Sequence, residues 1–149
     1  MINFSVIMEA YPKVYRYRRL VQAKLFIDEH YAEALDLSSI ADEAFFSKFH
    51  FIRLFKEAYG RTPHQYLVFT RLQAARNFLK TDRTITDICY SVGFDSVSSF
   101  TGLFKRHTGQ TPGAYRQAWL DRQAGMLGKP LAYVPHCFAS AWGWVARPA

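Results

Sequence analysis

LFKEAYGRTPHQY, Leu54 to Tyr66, and LFKRHTGQTPGAY, Leu103 to Tyr115, are two versions of one phrase. Phe55 and Phe104, Gly60 and Gly109, Thr62 and Thr111, and Pro63 and Pro112 all stand 49 residues apart. Upstream, Leu37, Ile40 and Ala41 recur as Ile85, Ile88 and Cys89, 48 residues on, so the second copy carries one extra residue near Asp95. A repeat of this period is one supersecondary unit used twice.

Working outward, the apolar periodicity predicts helices on both sides of each phrase. Val14–Tyr31 reads as a basic amphipathic helix, with Leu20, Lys24, Ile27 and Tyr31 three or four apart and Pro12 just before it. A short helix follows over about 38–45, with Leu37, Ile40, Ala41 and Ala44 inward. Ser47 is placed as the N-cap of a helix to Tyr59, whose core stripe is Phe51, Leu54, Phe55 and Ala58. Gly60 ends it, and Thr62-Pro63 starts a long helix to about Leu79, roughly 25 Å at 1.5 Å per residue. The unit then repeats. Thr84 caps a helix over 85–92, Gly93 stops it, and Ser96 caps another to Thr108 with Phe100, Leu103 and Phe104 inward. Thr111-Pro112 starts a last helix to about Leu120.

Half of the 149 residues are apolar and the formal net charge is +7, which suits a globular domain with a polyanionic partner. Cys89 falls at a core position and Cys137 in an unrelated context, so no disulfide framework is expected. His136 and Cys137 are adjacent with no spaced second pair, so neither metal nor other cofactor is expected. No stretch reads as a leader or a membrane span, and the cytoplasm is the expected compartment.

Each copy is helix, short turn, helix. In a helix-turn-helix the second helix enters the major groove and the first braces it across the phosphates. Two such units joined by a long helix form a ruler for successive major grooves, about 34–36 Å apart. The Leu37–Ile40–Ala41 pattern, SKFHFIRLFKEAYGRTP, the pair Gly93-Phe94, and FKRHTGQTPGAYR ending at Arg116 resemble the DNA-binding domain of the AraC/XylS family of bacterial transcription regulators. The resemblance covers about 14–120. It implies an all-α, seven-helix reader of double-stranded DNA, with units at about 32–60 and 84–109, a linker helix at 63–80 and a last helix at 112–120. Residues 1–13 are then a lead and 121–149 an extension. It also implies a monomer on DNA or a weak dimer, and activation through RNA polymerase.

The implied reading helices are Ser47–Tyr59 and Ser96–Thr108. Removing the inward stripe from the first leaves Lys48, Phe49, His50, Ile52, Arg53 and Lys56 facing out. Arg53 is the expected base contact, since its fork pairs with guanine O6 and N7. Phe49 is expected against a thymine methyl, and His50 against a base edge or a phosphate. Ser47 and Lys56 are expected phosphate holders. In the second helix the set is Ser96, Val97, Ser98, Ser99, Thr101, Lys105 and Arg106, while Gly102 stands where Arg53 stands in the first. The first unit is therefore expected to read sequence and the second mainly to clamp backbone. Other readings stand beside these. Phe49 is a core residue if the helix is rotated, since Phe45, Phe46, Phe51 and Phe55 crowd the segment, and Arg53 is a solvated surface cation.

Residues after Leu120 have glycine and proline breaks yet carry Tyr133, Phe138, Trp142 and Trp144, more aromatics than a disordered tail. The extension is expected to pack back on the body, a partner surface or sensor lid being the alternatives. Pro135-His136-Cys137-Phe138 departs from the Pro-Cys-His-Arg motif of alkyl-transfer repair modules, so no enzyme is expected. The rival function is a protein-interaction module with only non-specific DNA binding.

Overall fold

The computed structural model describes residues 4–36, 38, 40–41, 47–128 and 134–142. Regular structure among them is all helical: α1 Phe4–His30, α2 Lys48–Tyr59, α3 Pro63–Phe78, α4 Ile85–Ser91, α5 Val97–Thr108, α6 Pro112–Gly128 and α7 His136–Ala141. Ser38, Ile40 and Ala41 are also helical, within the short helix expected over 38–45. Leu37, Ala44, Phe45 and Phe46 lie outside the described residues, as do Tyr133 and Trp144.

The repeated phrase is a joint between helices. Gly60 and Gly109 end α2 and α5 at φ 70° and 81°, donating back to the carbonyls of Lys56 and Lys105. Thr62 then closes a capping box on α3, its Oγ1 accepting from Gln65 N at 3.2 Å while its own N–H donates to Gln65 Oε1 at 3.0 Å. Thr111 does half of this for α6, accepting from Ala114 N at 3.3 Å. Alanine at that third position has no side chain to return the bond. Pro63 and Pro112 are both buried in the first turn.

Two cores result, and α3 is a wall of each. Leu20, Ala23 and Ile27 from α1 pack with Ile40, Ala41, Phe51, Phe55 and Leu67. Leu72, Ala75 and Leu79 pack with Ile88, Cys89, Val92, Phe94, Phe100 and Phe104. α3 thus gives Leu67 to one core and its next turns to the other, over 16 residues or about 24 Å. Phe51–Phe55 and Phe100–Phe104, equivalent in the repeat, sit at ring separations of 5.4 and 5.7 Å. Truncating any of the four to alanine costs about 3–5 kcal/mol. Burial pushes the Cys89 thiol up, which keeps it a neutral core side chain.

Polar contacts tie the units to one another. Arg71 on α3 donates from Nε to Tyr31 O and from Nη2 to Glu33 O, both at 2.7 Å, and stands 5.7 Å over the Phe94 ring. Burial pulls its guanidinium below the ordinary range, so those carbonyls replace the water it has lost. Gly93, at φ 89°, lies so close that a Cβ there would meet Ala32 O at 2.8 Å. The chain after α1, the middle of α3 and the turn of the second unit therefore converge. Asp28 bridges α1 to α3, accepting from Lys24 Nζ at 2.6 Å and Tyr66 OH at 2.9 Å. Arg116 on α6 caps the end of α3 through Leu79 O at 3.2 Å.

Several expected boundaries are corrected. α1 begins at Phe4, not Val14, and runs through Pro12, although an interior proline loses one backbone bond and crowds the carbonyl four residues back. α6 continues past Leu120 to Gly128 on exposed residues such as Arg122, Gln123 and Ala124. Good helix formers extend it with no apolar stripe to mark it in sequence. Ala58 is exposed rather than in the α2 core stripe. Among the described residues no helix is long and apolar enough to cross a membrane.

Gly60 and Gly93 share a positive φ, but only Gly93 has backbone within reach of a Cβ. Alanine at Gly60 should cost about 1 kcal/mol from strain alone. Gly93→Ala should cost clearly more in urea unfolding, and equal losses would mean that the Gly93–Ala32 approach is slack.

Candidate nucleic-acid interface

With Phe51 and Phe55 inward, a helix turning about 100° per residue presents Phe49, Arg53 and Lys56 on the opposite side of α2. Phe49 is 85 % exposed, which removes the rotated-helix reading. Lys48, Arg53 and Lys56 are exposed, and His50 and Ile52 are half-buried beside them. Arg53 Nη2 lies 3.2 Å from His50 Nδ1, which steadies the guanidinium along the helix surface. Ser47 has the extended backbone of an N-cap, but its side chain makes no cap hydrogen bond.

The equivalent row on α5 is Ser98, Gly102 and Lys105. Ser98, Ser99, Lys105 and Arg106 are exposed, and Ser96 and Thr101 are half-buried. Val97, expected outward, packs instead on the second core, because at about 100° per residue it falls close to Phe104 on the helix. Ser96 uses its hydroxyl locally, accepting from Ser99 N at 3.2 Å and donating to Ser99 Oγ at 3.0 Å. Gly102 is exposed, and a Cβ added there would have nothing within 4 Å.

The ion pairs among the described residues are Lys24–Asp28 and His30–Glu33. Neither involves the two outward rows, so Lys48, Arg53, Lys56, Lys105 and Arg106 carry charge that no carboxylate among the described residues neutralises. Such cations, an exposed aromatic ring and helix N-termini at the two Ser positions form a surface suited to phosphate and base edges.

The sequence reading misses Arg71 and what Gly93 approaches. A lone arginine in the apolar face of the long helix is the available signal, since a half-buried cation needs acceptors. On the tail, α7 buries Ala139 and leaves Phe138 and Trp142 half or more exposed, their rings 6.1 Å apart. Cys137 is an exposed free thiol.

A family model described as "Helix-turn-helix domain" matches residues 40–118. The bifunctional transcriptional activator/DNA repair enzyme AdaA of Bacillus subtilis is 40 % identical over 93 residues, 62 % of this chain and 44 % of AdaA. The chain thus spans less than half of that relative's length. The probable transcription factor PqrA of Proteus vulgaris is 36 % identical over 86 residues, 57 % of this chain and 70 % of PqrA. The crystal structure of the DNA-binding domain of AdpA, a global transcriptional factor in complex with a target DNA, superposes with a TM-score of 0.68 at 31 % identity, covering 70 % of this chain and 96 % of that one.

A glycine in an exposed helix interior costs about 1 kcal/mol against alanine. Gly102→Ala should therefore raise unfolding free energy by about that amount. Chemical denaturation checks it, and a loss of stability would mean that α5 needs the flexibility of glycine there.

Proposed function

The chain belongs to the helix-turn-helix family of AraC/XylS-type DNA-binding transcription regulators, and on that premise we propose that α2 and α5 are its reading helices, set in successive major grooves of one duplex. The observation that carries this is the doubled outward row, Phe49–Arg53–Lys56 and Ser98–Gly102–Lys105, each backed by the same pair of buried phenylalanines. The DNA-reading body is residues 14–120, with α1 and α6 reaching beyond it.

The two units divide the work. Arg53 supplies a bidentate contact to guanine and Phe49 an apolar contact to a thymine methyl, while His50 keeps Arg53 in place. Ser47, its hydroxyl not used in capping, and Lys48 and Lys56 hold phosphates; Ile52 shields their base. In the second unit Gly102 presents no side chain, and Ser96 and Ser99 are engaged with each other. Ser98, Thr101, Lys105 and Arg106 then contact mostly backbone, which positions without specifying. Val97 supports α5 from the core side.

The protein acts as an activator through RNA polymerase, a role supported by the name of AdaA as a transcriptional activator. It binds DNA as a monomer or weak dimer. The repair activity in that name is not carried over, because Pro135-His136-Cys137-Phe138 lacks the order of residues expected of the transfer motif.

Selection of bound sites from random duplex DNA at physiological salt is expected to return two boxes about one helical turn apart, the box under α2 the sharper. Arg53→Ala should flatten preference at one position, a loss of about 1–3 kcal/mol of discrimination. Lys56→Ala should weaken all sequences alike and reduce the salt slope by about 1. No enrichment over random duplex would instead favour an interaction module working through Phe138 and Trp142.

A further inference from the structure

Between the two units lies a cleft of about 490 Å³ that the rows Phe49–Arg53–Lys56 and Ser98–Gly102–Lys105 do not line, and that shares Arg106 with the proposed phosphate contacts. Its floor is Val68 and Phe69 of α3 and Leu103 of α5. Its rim is Arg61, in the turn after α2, His64 at the start of α3, and Arg106 and His107 at the end of α5. At about 100° per residue Leu103, Arg106 and His107 occupy a flank of α5, between the buried Phe100–Phe104 stripe and the outward Ser98–Gly102–Lys105 row. The cleft therefore faces across to the first unit.

Its rim is already ordered. Arg61 stacks 4.2 Å above the Phe69 ring, and His107 meets the same ring edge-on at 5.4 Å. One aromatic side chain thus holds rim groups from both units in place, so a ligand pays little ordering entropy there. Neither arginine has a carboxylate partner among the described residues. Two guanidinium forks without carboxylates beside an apolar floor match an anion with a flat hydrocarbon body, the forks taking the charged oxygens and Val68 and Leu103 the ring. The volume lies within the range of small-molecule sites.

The geometry points to this cleft as a binding site for a small organic anion, an aromatic carboxylate in chemical class, seated between the two helix-turn-helix units. Such a ligand joins the turn after α2 to the end of α5, adding a cross-link where α3 is the covalent connection.

The test is titration of the full chain with 2-naphthoate, followed by calorimetry, with the uncharged 2-naphthalenemethanol alongside. Saturable one-to-one binding of the carboxylate is expected, with the alcohol about tenfold weaker or more. Arg61→Gln should lose a comparable factor, and Arg18→Gln, an exposed arginine on α1, should lose none, with circular dichroism confirming that both variants fold. Equal binding of acid and alcohol, or equal affinity in the two variants, would overturn the proposal. So would absence of naphthoate binding together with weakened DNA binding in Arg61→Gln, which would assign the rim to DNA phosphate instead.

Discussion

α3 belongs to both hydrophobic cores, and the rest of the architecture depends on that sharing. A helix-turn-helix unit of this size has too little interior to be secure alone, since burial rises with chain length. Here each unit borrows a face of the same 16-residue helix: Leu67 for the first, and Leu72 and Ala75, with Leu79 just past its end, for the second. Arg71 then occupies the boundary. Its two hydrogen bonds reach back to the chain after α1, and its plane lies over Phe94 in the second unit. Gly93 permits this by bringing the turn against Ala32, closer than any side chain allows. The units are held by packing, by a half-buried cation and by backbone contact together, which is more restraint than a helical tether alone supplies.

If α2 and α5 read DNA as proposed, that rigidity converts two weak readers into one. A single reading helix contacts a few base pairs, and a bidentate pair discriminates by only about 1–3 kcal/mol. Two helices on a stiff frame add their contacts without a second loss of orientational freedom, as effective concentration requires. The asymmetry between α2 and α5 fits such a division. On the proposed reading, phosphate contacts from Lys105 and Arg106 fix register, and the sharper choice is left to Phe49 and Arg53.

Much of this is legible in the residues. Gly60, Thr62, Pro63 and their counterparts mark helix stops and starts by local chemistry alone, and the structure has joints at those places. The phenylalanine pairs follow from helical period. Legibility fails where the controlling force is not local. Pro12 reads as a start signal, but α1 runs through it. The exposed end of α6 has no apolar stripe to find. Val97 reads as outward at the start of α5, but its place on the helical turn is beside Phe104, on the core side. Arg71 resembles any surface cation until its partners, 38 and 40 residues away, are placed beside it.

The central claim is that the two reading helices act as one rigid body on one duplex. The direct measurement is affinity for a bipartite site whose two boxes are moved apart by half a helical turn, about 5 base pairs. A rigid frame predicts that the insertion reduces affinity to that of the α2 box alone, and that about 10 inserted base pairs do not restore it, because the span is then too long. Affinity that survives either insertion would show that the units reach their boxes independently, and would contradict the account.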